Sequence, residues 1–125
     1  MELLYKELSG TILDCAFTVH KTLGPGLLES AYEECLQFEL SNCGIYSLKQ
    51  VALPLIYKEK KLDLGYRIDI LVEDKIIIEV KSSEALNPIH QAQLMTYLKL
   101  SGCRLGFLIN FNVVLLKEGI RRIIL

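Results

Sequence analysis

Residues 66–81, Tyr-Arg-Ile-Asp-Ile-Leu-Val-Glu-Asp-Lys-Ile-Ile-Ile-Glu-Val-Lys, leave a folding chain little choice. Two runs rich in β-branched residues flank a short charged stretch, the pattern of a β-hairpin. Side chains alternate with period two along a strand. The first run therefore presents Ile68, Ile70 and Val72 on one face and Arg67, Asp69 and Leu71 on the other. The second presents Ile76, Ile78 and Val80 against Ile77, Glu79 and Lys81. A slip of one residue would exchange the faces of a whole strand, so the register must keep like faces together. A turn over Glu73-Asp74-Lys75 does so by pairing Val72 with Ile76. That register sets Asp69 opposite Glu79 and Arg67 opposite Lys81. Carboxylates directly opposite each other repel, and partial burial raises the cost. Such a pair is expected where a cation sits between the two.

The rest of the chain supplies elements to pack around this hairpin. Residues 2 to about 22 read as an amphipathic helix, with Leu4, Leu8, Ile12, Cys15, Val19 and Leu23 at helical spacing. His20, near its end, either interacts with the helix dipole or stands at the rim of a site. Gly24-Pro25-Gly26 breaks the chain, and a second helix follows over about 27–42. Its apolar stripe is Leu28, Ala31, Tyr32, Cys35 and Phe38, and Gly44 caps it. Glu29 falls in its first turn, where the dipole favours a carboxylate, and shares a face with Tyr32.

Residues 46–58 read as a strand in which Pro54 implies an edge position or a bulge. Lys58-Glu59-Lys60-Lys61 is a charged turn, solvated or in touch with a phosphate backbone. Strands over 62–72 and 76–81 make the hairpin. Asn87-Pro88 is an N-cap followed by proline at the first helical position, opening a third helix that runs to about Leu100. Leu94, Met95 and Leu98 form its core stripe, while His90, Gln93 and Tyr97 share the adjacent arc. Leu105–Phe111 is a buried strand. Val113–Leu116 and Ile120–Leu125 suggest a closing hairpin around Lys117-Glu118-Gly119. The helical crossover from Lys81 to Leu105 allows a parallel, right-handed pair. The predicted fold is therefore α/β (α+β): one domain over residues 1–125, a central mixed sheet flanked by helices in the order ααβββαβββ.

Composition narrows the function. The net charge of −1 does not suit a protein that binds nucleic acid by basic surface alone. A metal-dependent nuclease is a partial exception, because its site must be acidic. No apolar run approaches a membrane span, and no basic-then-apolar leader opens the chain, so a cytoplasmic protein with no membrane partner is expected. The high apolar fraction leaves room for a homodimer. Cys15, Cys35, Cys43 and Cys103 form no C-x-x-C pair and only two histidines occur, which argues against zinc and for reduced, mostly buried thiols. No Gly-rich phosphate loop points to nucleotide hydrolysis.

Two carboxylates on adjacent strands can hold Mg²⁺, with water filling the other positions and the Val80 carbonyl as a further ligand. Lys81, two residues from Glu79 on the same face, can orient an attacking water and balance charge on a phosphate. A bound cation would lower the water's pKa and neutralise charge developing on phosphorus. The bland reading is an ordinary Glu79–Lys81 ion pair at a sheet edge.

These residues resemble the PD-(D/E)XK nuclease superfamily, and within it the small family of GxxExxY proteins. Gly26-Leu27-Leu28-Glu29-Ser30-Ala31-Tyr32 matches that family's name motif, and Asp69 with Glu79-Val80-Lys81 matches D…ExK. Gln93-Leu94-Met95-Thr96-Tyr97 matches the Q-x-x-x-Y helix of the RecB-like branch. Ile68 stands where the superfamily's name has proline. The resemblance implies a restriction-endonuclease-like core, dependence on Mg²⁺ or Mn²⁺, and phosphodiester hydrolysis in nucleic acid, with DNA expected, in repair or defence. By position it makes Asp69 and Glu79 metal ligands, beside the Val80 carbonyl that the hairpin itself offers, Lys81 the catalytic lysine and Glu29 an auxiliary catalytic acid. Gln93 and Tyr97 become substrate- or site-positioning residues, and His20, if it stands at the rim, would join them in positioning substrate. The alternative is a catalytically silent nuclease-fold module that binds nucleic acid or a protein partner.

Overall fold

The computed structural model describes residues 4–125. Helices α1 (Lys6–Leu23) and α2 (Glu29–Asn42) come first, then strands β1 (Ser47–Ala52), β2 (Leu55–Tyr57), β3 (Lys60–Leu62), β4 (Arg67–Val72) and β5 (Ile76–Lys81). Helix α3 (Pro88–Ser101), β6 (Leu105–Asn110) and β7 (Ile120–Ile124) complete the chain, with a 3₁₀ turn over Leu116–Gly119. Five strands form one sheet in the order β1-β4-β5-β6-β7. Only β5 and β6 run parallel, joined through α3 as the long crossover predicts. Ribbon β2–β3 stands apart from that sheet. The architecture is the mixed sheet flanked by helices that the sequence pattern implies. Among the described residues no helix is long and apolar enough to cross a membrane.

The two faces of the sheet bury separate cores. Ile70, Val72, Ile78, Val80, Phe107 and Ile109 pack under Ile12, Val19, Tyr32 and Leu36 from α1 and α2. On the other face Ile77 and Leu108 meet Leu94, Tyr97 and Leu98 from α3. A central strand covered on both sides needs apolar residues throughout. Strand β5 meets that need with Ile76, Ile77, Ile78 and Val80, and Glu79 is buried among them.

The hairpin has the expected register, Val72 with Ile76 and Ile70 with Ile78. Its turn places Glu73 and Asp74 in the left-handed region, and the Lys75 N–H donates to the Val72 carbonyl at 2.9 Å. Pairing stops after Ile70 and Ile78. Arg67 therefore does not meet Lys81: it pairs with Ala52 of β1, and Lys81 pairs with Asn110 of β6. The strict alternation of faces also fails at Asp69. Ile68 joins the α3-side core while Ile70 joins the other. Between the residues paired with Ile70 and Ile68, Gln50 of β1 has φ 53°, so the distortion spans both strands.

Other elements shift from their expected bounds. Helix α1 opens at Lys6, after a left-handed Tyr5; residues 2 and 3 of the predicted helix lie outside the described residues. In α2 the buried stripe is Tyr32, Leu36 and Leu40, whereas Leu28 and Phe38 of the expected stripe are 77% and 62% exposed. Tyr32 fixes that rotation by stacking on Phe111 at 4.5 Å and donating its hydroxyl to the Gly24 carbonyl at 2.6 Å. The strand expected over 46–58 divides at Leu53-Pro54, where the Leu53 N–H turns to the Tyr66 carbonyl and proline has no N–H to offer a ladder. Residues 113–116 form no strand. His20 Nε2 bonds the Val113 carbonyl at 2.7 Å and holds this segment in a bend, leaving β7 to pair with β6 directly.

Candidate active site

Where β4 and β5 part, the two acids replace the missing rungs. The Asp69 N–H donates to Glu79 Oε2 at 2.9 Å, and the Val80 N–H donates to Asp69 Oδ2 at 2.8 Å. Each carboxylate is thus fixed by the backbone of the opposite strand. In an extended strand a residue's N–H and C=O point the same way. The Val80 carbonyl therefore faces the same gap as its N–H.

Glu79 is 4% exposed, and burial, then the charge of Asp69, push its carboxyl up to about 8. Burial also raises the Asp69 carboxyl, against the Val80 N–H and the Lys81 ammonium, which hold it down. Two like charges share this gap and neither ionises freely. That electrostatic state is the one a divalent cation relieves.

Two partners come from outside the hairpin and escape a reading of local sequence. Glu33 is 8% exposed, and burial raises its carboxyl. Its Oε1 accepts from Gln50 Nε2 at 2.7 Å, and the same amide nitrogen reaches Asp69 Oδ1 at 3.3 Å. Glu33 lies one turn beyond Glu29 and beside Tyr32, a spacing that could have marked it. Gln50 carries no local signal; only the β1–β4 register brings it to Asp69.

Glu29, at the start of α2, is exposed, and its Oε2 accepts from the Ser82 N–H at 3.2 Å. Ser82 also donates its hydroxyl to the Leu27 carbonyl at 2.6 Å, tying the end of β5 to the α1–α2 connection. Glu29 still acts electrostatically on Asp69 and Glu33, raising both. Lys81 opens onto a cleft shared with Gln93 and Tyr97. Tyr97 is buried in the α3-side core, not set on an open polar arc, and receives a hydrogen bond from Gln93 Nε2 at 3.3 Å. Its phenol is raised, by burial first and then by the charges of Glu79 and Asp69. His90 lines the same cleft, and its Nδ1 accepts the Asn87 N–H at the start of α3. His20 is drawn elsewhere: its contacts are the Val113 carbonyl and the Phe111 ring.

Among the described residues no three His, Cys, Asp or Glu side chains stand together so as to hold a metal ion. The gap instead offers two carboxylates and the Val80 carbonyl. This all-oxygen set suits a hard divalent cation such as Mg²⁺, which is commonly bound through one or two carboxylates and completes its shell with water. The four cysteines are free thiols, and none belongs to this set.

A five-stranded mixed sheet flanked by helices, with opposed acids at the point where a central antiparallel pair divides, defines a restriction-endonuclease-like fold. The family model of the PD-(D/E)XK nuclease superfamily matches residues 6–123, and the chain belongs to that superfamily. No curated protein and no solved structure matches it significantly.

Proposed function

We propose that the protein is a metal-dependent nuclease that hydrolyses phosphodiester bonds, with DNA as its substrate. The motif around Glu29 and the Gln93–Tyr97 helix support reading it as one of the GxxExxY proteins, on the RecB-like side of the superfamily. The observation that carries the reading is the Asp69–Glu79 pair, locked across the parting strands and followed by Lys81 at the mouth of a cleft. Asp69, Glu79 and the Val80 carbonyl would hold Mg²⁺ or Mn²⁺. When bound, the cation supplies Lewis-acid polarisation of the phosphate and a lowered pKa for water.

The chain's own groups do the positioning. Lys81 holds the attacking water by hydrogen bond and balances negative charge gathering on the phosphate. Glu33 and Gln50 keep Asp69 aimed into the gap. Glu29 orders the backbone after Lys81 through Ser82. Gln93 and Tyr97 seat the substrate beside Lys81. Water adds to phosphorus, one P–O bond breaks, and the strand is left with one phosphate end and one hydroxyl end.

Purified protein with Mg²⁺ or Mn²⁺ is expected to cut DNA, and Asp69→Ala or Lys81→Ala to reduce cutting about a thousandfold, the scale of losing an electrostatic catalytic group. Wild-type rates in both variants would overturn the reading. One observation favours a second reading: among the described residues no third acidic side chain joins Asp69 and Glu79 to complete a metal site. A silent module of this kind would bind DNA or a partner protein and cut nothing in either metal.

A further inference from the structure

The cleft beside Lys81 is lined in a way that hydrolysis alone does not require. It encloses about 580 Å³ between Leu55, Tyr66 and one side of α3, where Gln93, Thr96 and Tyr97 contribute. Among the described residues, Lys81 is the only lysine or arginine in its lining. Tyr66 keeps 40% of its surface open and is braced by the buried Tyr97 ring, 6.3 Å away between centroids and inclined at 56°. Gln93 spends its amide nitrogen on the Tyr97 hydroxyl, which leaves its carbonyl oxygen as an acceptor.

A duplex is held along its backbones by several cations at once. One lysine does not provide that. An aromatic platform beside an amide is instead the chemistry that recognises an unstacked base, by stacking on its face and hydrogen bonding to its edge. The volume lies within the range of small-ligand pockets, roughly 300–1,000 Å³. We propose that this cleft receives one unpaired nucleobase next to the phosphate facing Lys81, so that the protein acts on single-stranded or frayed DNA in preference to intact duplex. Tyr66 is the stacking platform, and Gln93 offers its carbonyl to a base amino or imino group. The proposal rests on the nuclease reading for its choice of ligand.

The test is fluorescence anisotropy with a fluorescein-labelled thymidine oligonucleotide and a blunt duplex of equal length, in EDTA so that binding is measured without cleavage. The single strand should bind roughly tenfold tighter than the duplex, and Tyr66→Ala should weaken it by about the same factor, the order expected for one lost base–aromatic stack. Tyr66→Phe should restore binding. Thr96→Trp, which fills the cleft from an exposed position, should block the single strand while leaving the thermal melting curve in place. Equal affinity for both DNAs, no binding, or an unaffected Tyr66→Ala overturns the proposal. Cleavage assays separate the two readings. Protein that cuts both DNAs equally with Tyr66→Ala fully active refutes the pocket and keeps the nuclease. Protein that prefers the single strand but cuts nothing keeps the pocket and refutes the nuclease.

Discussion

Glu79 is the residue in which fold and chemistry meet most directly. Its carboxyl retains a proton up to about 8 in the folded chain, against an ordinary 4.5. The native state therefore binds more protons than the unfolded state between those values. The stabilisation is complete below 4.5 and is lost as pH rises through about 8. Metal-free protein is expected to show a falling melting temperature from about pH 5 to about pH 8.5, and Glu79→Gln to flatten that slope. A second expectation concerns Gln50. Removing its amide leaves the buried Glu33 carboxyl without that partner, so Gln50→Ala should cost about 1–3 kcal/mol in chemical denaturation. Because Gln50 has φ 53°, Gln50→Gly should be about 1 kcal/mol milder than the alanine variant. Both should impair cutting by releasing Asp69. The opposition of Asp69 and Glu79 was legible in sequence because a hairpin register is set by its turn and by two alternating faces. Glu33 and Gln50 were not, since one depends on the rotation of α2 and the other on a pairing nineteen positions from Asp69.

Elements were readable where one period or one cap dominated. Asn87-Pro88 fixed the start of α3, and the β-branched runs fixed β4 and β5. Where two apolar stripes competed, as in α2, tertiary contacts decided: stacking of Tyr32 on Phe111 turned Leu36 and Leu40 inward. The same held after β6, where apolar residues 113–116 suggest a strand but the His20 bond bends them away. Gly119 closes that bend, and a Cβ there would run into the Asn110 carbonyl. Gly119→Ala is therefore expected to destabilise the protein by about 3 kcal/mol in denaturant titrations, with β7 the first strand to lose amide protection in hydrogen exchange.

At the scale of the molecule, the site lies at one end of the sheet, where groups from α2 and α3, on opposite faces, both approach the same pair of acids. A chain of net charge −1 with one cation in its cleft has few counterions to displace from DNA. Its affinity for an oligonucleotide should fall only weakly with salt, with a slope no steeper than about −1 in a plot of log affinity against log salt concentration. A steep slope would mean that several phosphates are gripped elsewhere, and the lysines of the β2–β3 ribbon, Lys58, Lys60 and Lys61, would be the first to replace with alanine.

The acids that stand in for rungs between β4 and β5 have a further consequence, for folding fidelity. A hairpin formed one position out of step would leave the Asp69 and Val80 amides, and both carboxylates, without the partners they have here. Such a misfolded chain would strand four polar groups at once, a heavy penalty in so apolar a strand. The pair thus proofreads its own scaffold: a chain that reaches the native state has, by the same bonds, already assembled its site.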